Sequence, residues 1–166
     1  MRLPAVSGLN LERRRLRLPE DLEGALNLVL IAFQQWQQRQ VDPWLPFARR
    51  LEEAYPSLRY YELPTIQERN VVARTFINEG LRAGIPDPVA RERTITLYVD
   101  KRAFREALGL RSEENIYALL LDREGRVLWQ AEGIWTAEKG EALTEVVEQA
   151  LAAEGGPWLS GTEDMR

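Results

Sequence analysis

Hydrophobic and polar residues alternate with different periods along this chain, and the period changes at turn residues. Leu26 to Phe33 is apolar at nearly every position, which is typical of a central strand that is covered on both faces. Further strands are predicted at 58–63 and 94–99. A hairpin is predicted over residues 117–132, around the turn Asp122-Arg123-Glu124-Gly125.

A shorter hairpin is predicted near the start of the chain. Leu9-Asn10-Leu11 and Leu16-Arg17-Leu18 each alternate, but in different phases, with the charged turn Glu12-Arg13-Arg14 between them. The run Arg13-Arg14-Arg15 is either the solvated turn and outer face of this hairpin, which we favour, or an anion-binding patch.

The first helix is predicted to begin at Asp42 and Pro43. Aspartate is a good N-cap residue, and proline is favoured at the first helical position. The apolar residues of this helix lie at helical spacing on one stripe: Trp44, Phe47, Ala48, Leu51 and Ala54.

A second helix is predicted from Thr65 and Glu68, which have the spacing of a capping box, so that the helix begins near Ile66. Residues 85–93 are expected to form a charged, proline-rich connector. The apolar stripe of this helix comprises Val72, Ala73, Phe76, Ile77 and Gly80.

Two later helices also have recognisable ends. Asp100 is predicted to cap a short helix that Gly109 ends. Thr136 is predicted to cap a last helix, which Gly155-Gly156-Pro157 ends. The apolar face of the last helix carries Leu143, Val146, Val147, Ala150 and Leu151.

The order of these elements predicts an α/β fold, with a mixed β-sheet and helices on both faces. We expect one domain over residues 1–153, with a helical insertion at about 64–93 and a flexible C-terminal tail at 154–166. A chain of 166 residues is long enough to build its own core.

Composition excludes several kinds of chemistry. The chain has no cysteine and no histidine, which rules out disulfides, thiol nucleophiles, Cys/His zinc sites and histidine-based triads. A net charge of −4 offers no strongly basic field for nucleic acid. We expect no cofactor and no metal. We also expect no membrane span, because the longest apolar run is too short to cross a bilayer. The N-terminus has no apolar signal-peptide core, so the expected location is cytoplasmic.

Three segments resemble the thioredoxin fold in its redoxin and peroxiredoxin form, over roughly residues 8–152. Leu28–Phe33 resembles the strand that leads to the active-site loop of that family. Ile95–Asp100, with the short helix that ends at Gly109, resembles the strand and helix inserted in redoxins. The hairpin from Tyr117 through Gly125 to Trp129 resembles the family's hairpin near the end of the domain.

The resemblance gives two registers for the family's thiol positions. In a thioredoxin-like register, the Trp-Cys-x-x-Cys pattern falls on Trp36 and places Gln37 and Gln40 at the thiol positions. In a peroxiredoxin-like register, Asp42 takes the place of the peroxidatic cysteine and Arg39 that of the threonine before it. We prefer the second register, because Asp42 and Pro43 make a good helix start.

A second family position gives a consistent result. The cis-proline of redoxins, or the arginine of peroxiredoxins, falls on Ile116. We expect an ordinary trans peptide there, because a cis bond before a non-proline residue costs about 2.5–4 kcal/mol. The resemblance therefore implies no catalytic residue, and we expect neither thiol oxidoreductase nor peroxidase activity.

Three functions remain open at this stage. The first is a redox-inactive, thioredoxin-like binding or scaffold protein whose partner is another protein or a second copy, with a site at Trp36, Gln37, Gln40 and Trp44 near the helix end. Trp44 is either part of that platform or part of the core.

The second is a non-thiol enzyme that uses carboxylates in the same cleft, with Asp42 or Glu62 as general acid or base. For Glu62 we favour instead an ion pair with Arg91 or Arg93.

A further resemblance lies mostly in the first half of the chain. The arrangement of an apolar strand followed by a helix that carries Trp44 and Phe47 is similar to the mitochondrial ATP-synthase assembly factors that are related to redoxins. In that family the fold serves binding and chaperoning, so an assembly factor is a further alternative.

Overall fold

Seven strands form one mixed sheet. The computed structural model describes residues 1–68 and 87–164. The strands are β1 Val6–Asn10, β2 Arg15–Leu18, β3 Leu26–Ala32, β4 Leu58–Gln67, β5 Ile95–Val99, β6 Tyr117–Asp122 and β7 Val127–Glu132. Their order in the sheet is β2-β1-β5-β4-β3-β6-β7, in which β3 pairs with β4 and β4 with β5 in parallel, and the other neighbours are antiparallel.

Helical segments connect these strands and follow the last one. The α-helices are α1 Gln38–Val41, α2 Leu45–Ala54, α3 Pro88–Arg93, α4 Lys101–Leu108 and α5 Ala137–Asp164. Between β3 and β4 the backbone is helical from residue 35 to residue 54, where 3-10 turns at Gln35–Gln37 and Asp42–Trp44 alternate with α1 and α2.

The two faces of the sheet are covered by different helices. On one face, Phe104 and Leu108 of α4 belong to a buried cluster with Val29, Ile31 and other apolar strand residues. On the other face, α2 contacts β4, and the indole of Trp44 lies 6.4 Å from that of Trp129 on β7. The residues of β3 are buried on both faces, as a continuous apolar run predicts.

Local signals predicted most of these elements correctly. The two hairpins, the central strand and β5 are confirmed. Asp100 caps α4 by accepting hydrogen bonds from the amides of Arg102 and Ala103. Gly109 ends α4 with a φ of 66°, a left-handed conformation that glycine adopts without steric cost.

The predicted helix start near Ile66 is wrong. Strand β4 continues to Gln67, and Thr65 pairs with Leu97 of β5 in the parallel ladder. The Thr65 hydroxyl donates to the carbonyl of Leu63 rather than capping a helix. Pairing with β5 supplies the backbone hydrogen bonds here, and the β-branched residues Thr65 and Ile66 fit a strand well. The stripe at 72–80 lies outside the described residues.

The predicted connector at 85–93 is also only partly correct. Residues 88–93 form the short helix α3, and Asp87 caps it by accepting a hydrogen bond from the amide of Val89 at 3.0 Å. Proline at the first position of α3 is compatible with a helix start, because the amide that proline lacks would have no partner there.

The chain divides into two compact units, residues 1–135 and residues 136–166. In the second unit, Thr136 caps α5 as predicted and accepts a hydrogen bond from the amide of Lys139 at 3.2 Å. The prediction that Gly155-Gly156-Pro157 ends this helix is wrong, because α5 continues to Asp164. Glycine and proline disfavour a helix by a finite cost and do not forbid one. Flexibility of residues 154–166 stays a prediction.

Candidate functional site

The helical run after β3 begins earlier than the sequence predicted. Gln34 has an extended backbone and is the N-cap, and helical conformation starts at Gln35. The predicted N-cap role of Asp42 is wrong, because Asp42 has helical φ and ψ of −51° and −42°. Its carboxylate is exposed and accepts a hydrogen bond from Nε2 of Gln38 at 2.9 Å.

The side chain of Gln37 supplies the hydrogen bonds at this helix start. Its Oε1 accepts from the amides of Phe33 at 2.8 Å and Gln34 at 3.1 Å, and its Nε2 donates to the carbonyl of Glu113 at 2.6 Å. Gln37 is completely buried, so its polar atoms exchange water for protein partners in full. The helix therefore begins where Gln37 can reach back to the end of β3, several residues before Asp42.

Gln40 makes a second connection to the same neighbouring loop. Its Nε2 donates to Oδ1 of Asn115, and its Oε1 accepts from the amide of Ile116, both at 2.9 Å. Ile116 is buried, and the peptide bond before it is trans, as expected.

Together these contacts bring the segment 34–40 against the loop 113–116, as the redoxin resemblance implies. The two glutamines at the thioredoxin-like thiol positions are the residues that reach across. The basis for preferring the peroxiredoxin-like register, a helix start at Asp42, does not hold. Trp36 and Arg39 are exposed at the surface beside this contact.

Sequence reasoning missed the residue that organises the neighbouring loop, Glu113. Its carboxylate lies 3.3 Å from Nζ of Lys101 and 3.4 Å from Nε of Arg105, and it accepts a hydrogen bond from Gln34 at 3.3 Å. Lys101 also donates to the carbonyl of Phe33 at 2.8 Å. Only the fold places these groups together, because they belong to separate elements, and no local motif identifies them.

Glu62 does not form the ion pair that we predicted. Arg93 pairs with Glu52, and Arg91 pairs with Glu12. Glu62 is 7% exposed and accepts a hydrogen bond from Nε2 of Gln38 at 3.2 Å. Both arginines are engaged by carboxylates on other elements, so Glu62 lies under the helical run with an amide as its partner.

Burial is the main cause that raises the pKa of Glu62, and the nearby Asp42 carboxylate adds to the increase. The hydrogen bond from Gln38 and the charge of Arg49 act in the opposite direction. Gln38 bridges the two carboxylates, because its Nε2 donates to both Asp42 and Glu62. The second carboxylate required by an acid–base mechanism is therefore present, but a protein side chain occupies the position between the pair.

Trp44 belongs to the core and not to a ligand platform. Its side chain is completely buried, and Nε1 donates to the carbonyl of Gly133 at 3.0 Å. Its ring makes edge contacts with Phe47 and Trp129. This tryptophan anchors the helical run to the end of β7.

Within residues 1–68 and 87–164, no cluster of three or more acidic side chains has an arrangement that could hold a metal ion. None of the helices in this part of the chain combines the length and the apolar composition that a bilayer crossing requires.

The raised pKa of Glu62 predicts that Glu62→Gln stabilises the protein at neutral pH. A carboxyl group whose pKa is higher in the folded state stabilises the fold below its unfolded pKa, about 4.3, and loses that contribution as the pH rises through the folded pKa. Glutamine keeps the acceptor for Gln38 without a buried charge. We expect a gain in the free energy of unfolding of about 1 kcal/mol near pH 7.

Urea denaturation of both proteins at about pH 4 and about pH 7 measures this effect. The gain should be small at the lower pH, where Glu62 is protonated in the wild type. An equal difference between the two proteins at both pH values would contradict the assignment to a buried charge. Glu53→Gln, an exposed glutamate on α2, is the control.

Solved structures with a similar fold come from several organisms. The pneumococcal exposed lipoprotein thioredoxin Etrx1 of Streptococcus pneumoniae is 14% identical, with a TM-score of 0.58 over 88% of this chain and 99% of that chain. Arabidopsis thaliana ScoI, solved with copper bound, is 8% identical, with a TM-score of 0.59 over 90% and 99% of the two chains. The thioredoxin domain of a Bacteroides vulgatus thiol-disulfide oxidoreductase is 15% identical, with a TM-score of 0.52 over 87% and 94%.

At these identities the likeness establishes the fold. The sheet, the helix start after β3 and the adjacent loop 113–116 form a thioredoxin-like fold of the redoxin type, in a chain without cysteines. A family model described as ATP10 protein matches residues 1–150. The chain belongs to the ATP10 protein family. Among curated proteins, none matches this chain.

Proposed function

We propose that this protein is a redox-inactive binding protein that acts through a surface at the former redox end of the fold. The observation that carries the proposal is the bonding of Gln37 and Gln40, the residues that the thioredoxin-like register assigns to the thiol positions. Gln37 and Gln40 direct their amides to the loop 113–116 and satisfy its polar groups. The groups that would meet a thiol substrate in a redoxin thus join the start of the helical run to the loop 113–116.

The helix start and the loop 113–116, joined by these bonds, present a preorganised surface on which Trp36 is exposed. Trp36 is 48% exposed, and it lies directly before the buried Gln37. Arg39, one helical turn further on, is also exposed. Tryptophan and arginine are enriched at the centres of protein interfaces, and a preorganised backbone lowers the entropic cost of binding. A protein partner fits this surface better than a small molecule, which requires an enclosed site.

An assembly role is the form of binding that membership of the ATP10 family supports. The redoxin-related assembly factors that the sequence resembles keep the fold for chaperoning, and the chain shares with them the strand and the helix that carry Trp44 and Phe47. We propose that the protein holds a partner subunit during assembly of a complex. The cytoplasmic location and the homodimer expected from the sequence stay predictions.

Replacement of Trp36 by alanine should weaken capture of the natural partner at least about tenfold, the loss typical of an interface hot spot. Thermal stability should be unchanged, because the side chain is half exposed. The measurement is affinity capture of the tagged protein from its own cells, followed by quantitative mass spectrometry. Leu128→Ala, which removes another exposed apolar side chain, 39% exposed on β7, is the matched control.

Proteins that are lost with Trp36→Ala and retained with Leu128→Ala are the partners that this proposal requires. Identical protein sets for the wild type and both variants would refute a binding surface at Trp36. In that case the carboxylate alternative would gain support. We favour binding over that alternative, because Gln38 already bridges Asp42 and Glu62 and leaves no gap for a reacting group between them.

A further inference from the structure

A second charged surface lies at the turn between β1 and β2. We define the arginine hairpin as residues 12–17. The four arginines of this segment, Arg13, Arg14, Arg15 and Arg17, are exposed, whereas Leu16 between them is buried. The protein as a whole carries a net charge of −4, so this segment has the opposite sign to the rest of the chain.

The carboxylate within the hairpin belongs to Glu12 and is engaged by another element. Glu12 pairs with Arg91 of α3 at 2.5 Å. Among the described residues, no hydrogen bond or ion pair engages the guanidinium groups of Arg14, Arg15 and Arg17. Elsewhere in the described residues, Arg93, Arg105, Arg111 and Arg126 each have a carboxylate partner.

The backbone of the turn that presents the arginines is fixed by hydrogen bonds to Asn10. Asn10 is buried, and its Oδ1 accepts hydrogen bonds from the amides of Glu12 at 3.0 Å and Arg14 at 2.9 Å. The backbone of Asn10 exchanges two further hydrogen bonds with Arg13 and Arg14. The guanidinium groups therefore extend from a backbone that these hydrogen bonds hold in place.

Arg13 itself occupies an unfavourable conformation. Its φ is 65°, in the left-handed region where a residue with a Cβ atom is disfavoured and glycine or asparagine is usual. Backbone conformations of this kind concentrate at functional sites, where the surrounding structure enforces them. An arginine at this turn position costs stability that a glycine would not.

The geometry points to an acidic, extended segment of another protein as the ligand of this hairpin. We propose that its carboxylates pair with Arg15 and Arg17, which lie on the same exposed face of β2, about 7 Å apart, and with Arg14 at the turn. Alternate side chains of an extended chain have the same spacing, and arginine pairs with carboxylates in a bidentate manner.

Side chains and not the strand edge must supply this recognition. Although β2 is an edge strand, the amide of Arg17 donates to the carboxylate of Asp21, and the amide of Asp21 donates to the carbonyl of Arg17. These two bonds block the addition of a further strand at Arg17. The recognition would therefore depend on charge, and it should weaken as ionic strength rises.

The hairpin fits a protein segment better than a lipid surface. Its apolar side chains, Leu16 and Leu18, are 5% and 1% exposed, so none is available for insertion into a bilayer, which stable membrane attachment requires in addition to charge. The hairpin turn and Trp36 lie at opposite ends of the sheet. Asn10, just before the turn, pairs with the first residue of β5, whereas the helix start follows the last residue of the parallel strand β3.

The experiment measures binding of a fluorescein-labelled peptide in which glutamate alternates with threonine, and of the same peptide with glutamine in place of glutamate. The full-length protein should bind the glutamate peptide and not the glutamine peptide. The triple variant Arg14→Gln/Arg15→Gln/Arg17→Gln should bind at least about tenfold more weakly, since each exposed pair contributes modestly. Raised salt should have the same effect.

The control is Arg2→Gln/Arg102→Gln/Arg123→Gln, which removes three exposed arginines from other parts of the chain and so changes the net charge equally. It should bind like the wild type. Equal loss in both triple variants would overturn the proposal, because net charge alone would then explain binding. Stronger binding to phosphatidylcholine vesicles that contain phosphatidylserine than to the peptide would overturn it in favour of a lipid surface. Circular dichroism establishes that each variant is folded.

Discussion

Replacement of Gln37 by alanine is expected to lower the free energy of unfolding by about 3 to 5 kcal/mol, which is a large part of the 5–15 kcal/mol that holds a typical domain together. The amides of Phe33 and Gln34 and the carbonyl of Glu113 would all lose their partner. A buried polar group that is left without a hydrogen bond costs about 1 to 3 kcal/mol, and the effects of neighbouring groups are not fully additive.

Urea denaturation, followed by tryptophan fluorescence, measures this loss. Gln35→Ala is the matched control, because Gln35 is exposed two residues earlier in the same turn, and it should change stability by less than about 0.5 kcal/mol. Equal effects of the two substitutions would show that the side chain of Gln37 does not hold the helix start against the loop 113–116.

A conservative variant keeps this test informative if Gln37→Ala does not fold. Gln37→Glu retains an acceptor for Phe33 and Gln34 but loses the donor to Glu113 and, when ionised, places a charge against that carbonyl. We expect this variant to be less stable than the wild type at neutral pH and to recover part of the loss in acid, where the new carboxyl group is protonated and can donate.

Replacement of Glu52 by alanine should have the next largest effect, a loss of about 2 to 4 kcal/mol. Glu52 accepts two hydrogen bonds from the guanidinium of Arg93 and one from the amide of Tyr60. Arg93 also donates to the carbonyl of Tyr60 and lies over the rings of Tyr60 and Tyr61, at 5.2 and 5.8 Å from their centres. Without Glu52, a half-buried cation would lose its counter-charge.

The same pair predicts a pH dependence. Partial burial raises the pKa of Glu52, but the hydrogen bond and the charge of Arg93 outweigh burial and hold the pKa below its usual value. A lowered pKa gives stability that is present above the unfolded value, about 4.3, and is lost as the pH falls through the folded value. The difference between the wild type and Glu52→Ala should therefore be full at neutral pH and shrink in acid.

Thermal and urea denaturation across this pH range provide the measurement, with Glu106→Ala as the control. Glu106 forms an ion pair with Arg102 one turn away on α4, where both side chains are largely exposed. Such a pair contributes little to stability, about 0.5 kcal/mol or less. A pH-independent loss in Glu52→Ala would argue that packing, and not the charge of Glu52, is what the substitution removes.

The candidate site shows how far local reasoning can reach. Matching the redoxin pattern identified Gln37, Gln40 and Ile116 as related positions, and the structure brings them together. The predicted N-cap role of Asp42 was wrong, because a good N-cap residue competes with tertiary alternatives. Gln37 reaches back to the end of β3 and starts the helix first. Glu113 and Lys101 carried no sequence signal, since each acts through a partner on another element.

The sequence by itself determined the central strand, both hairpins and the caps at Asp100 and Thr136, because each depends on contacts within a few residues. It also determined that thiol chemistry is absent. Only the tertiary structure decided where the first helix begins, how far β4 extends and which carboxylates pair with Arg91 and Arg93. The bonds that join Gln37 to Glu113 and Gln40 to Ile116 each span 76 residues, and a hydrogen bond of that kind exists only once the sheet has brought both segments to the same end.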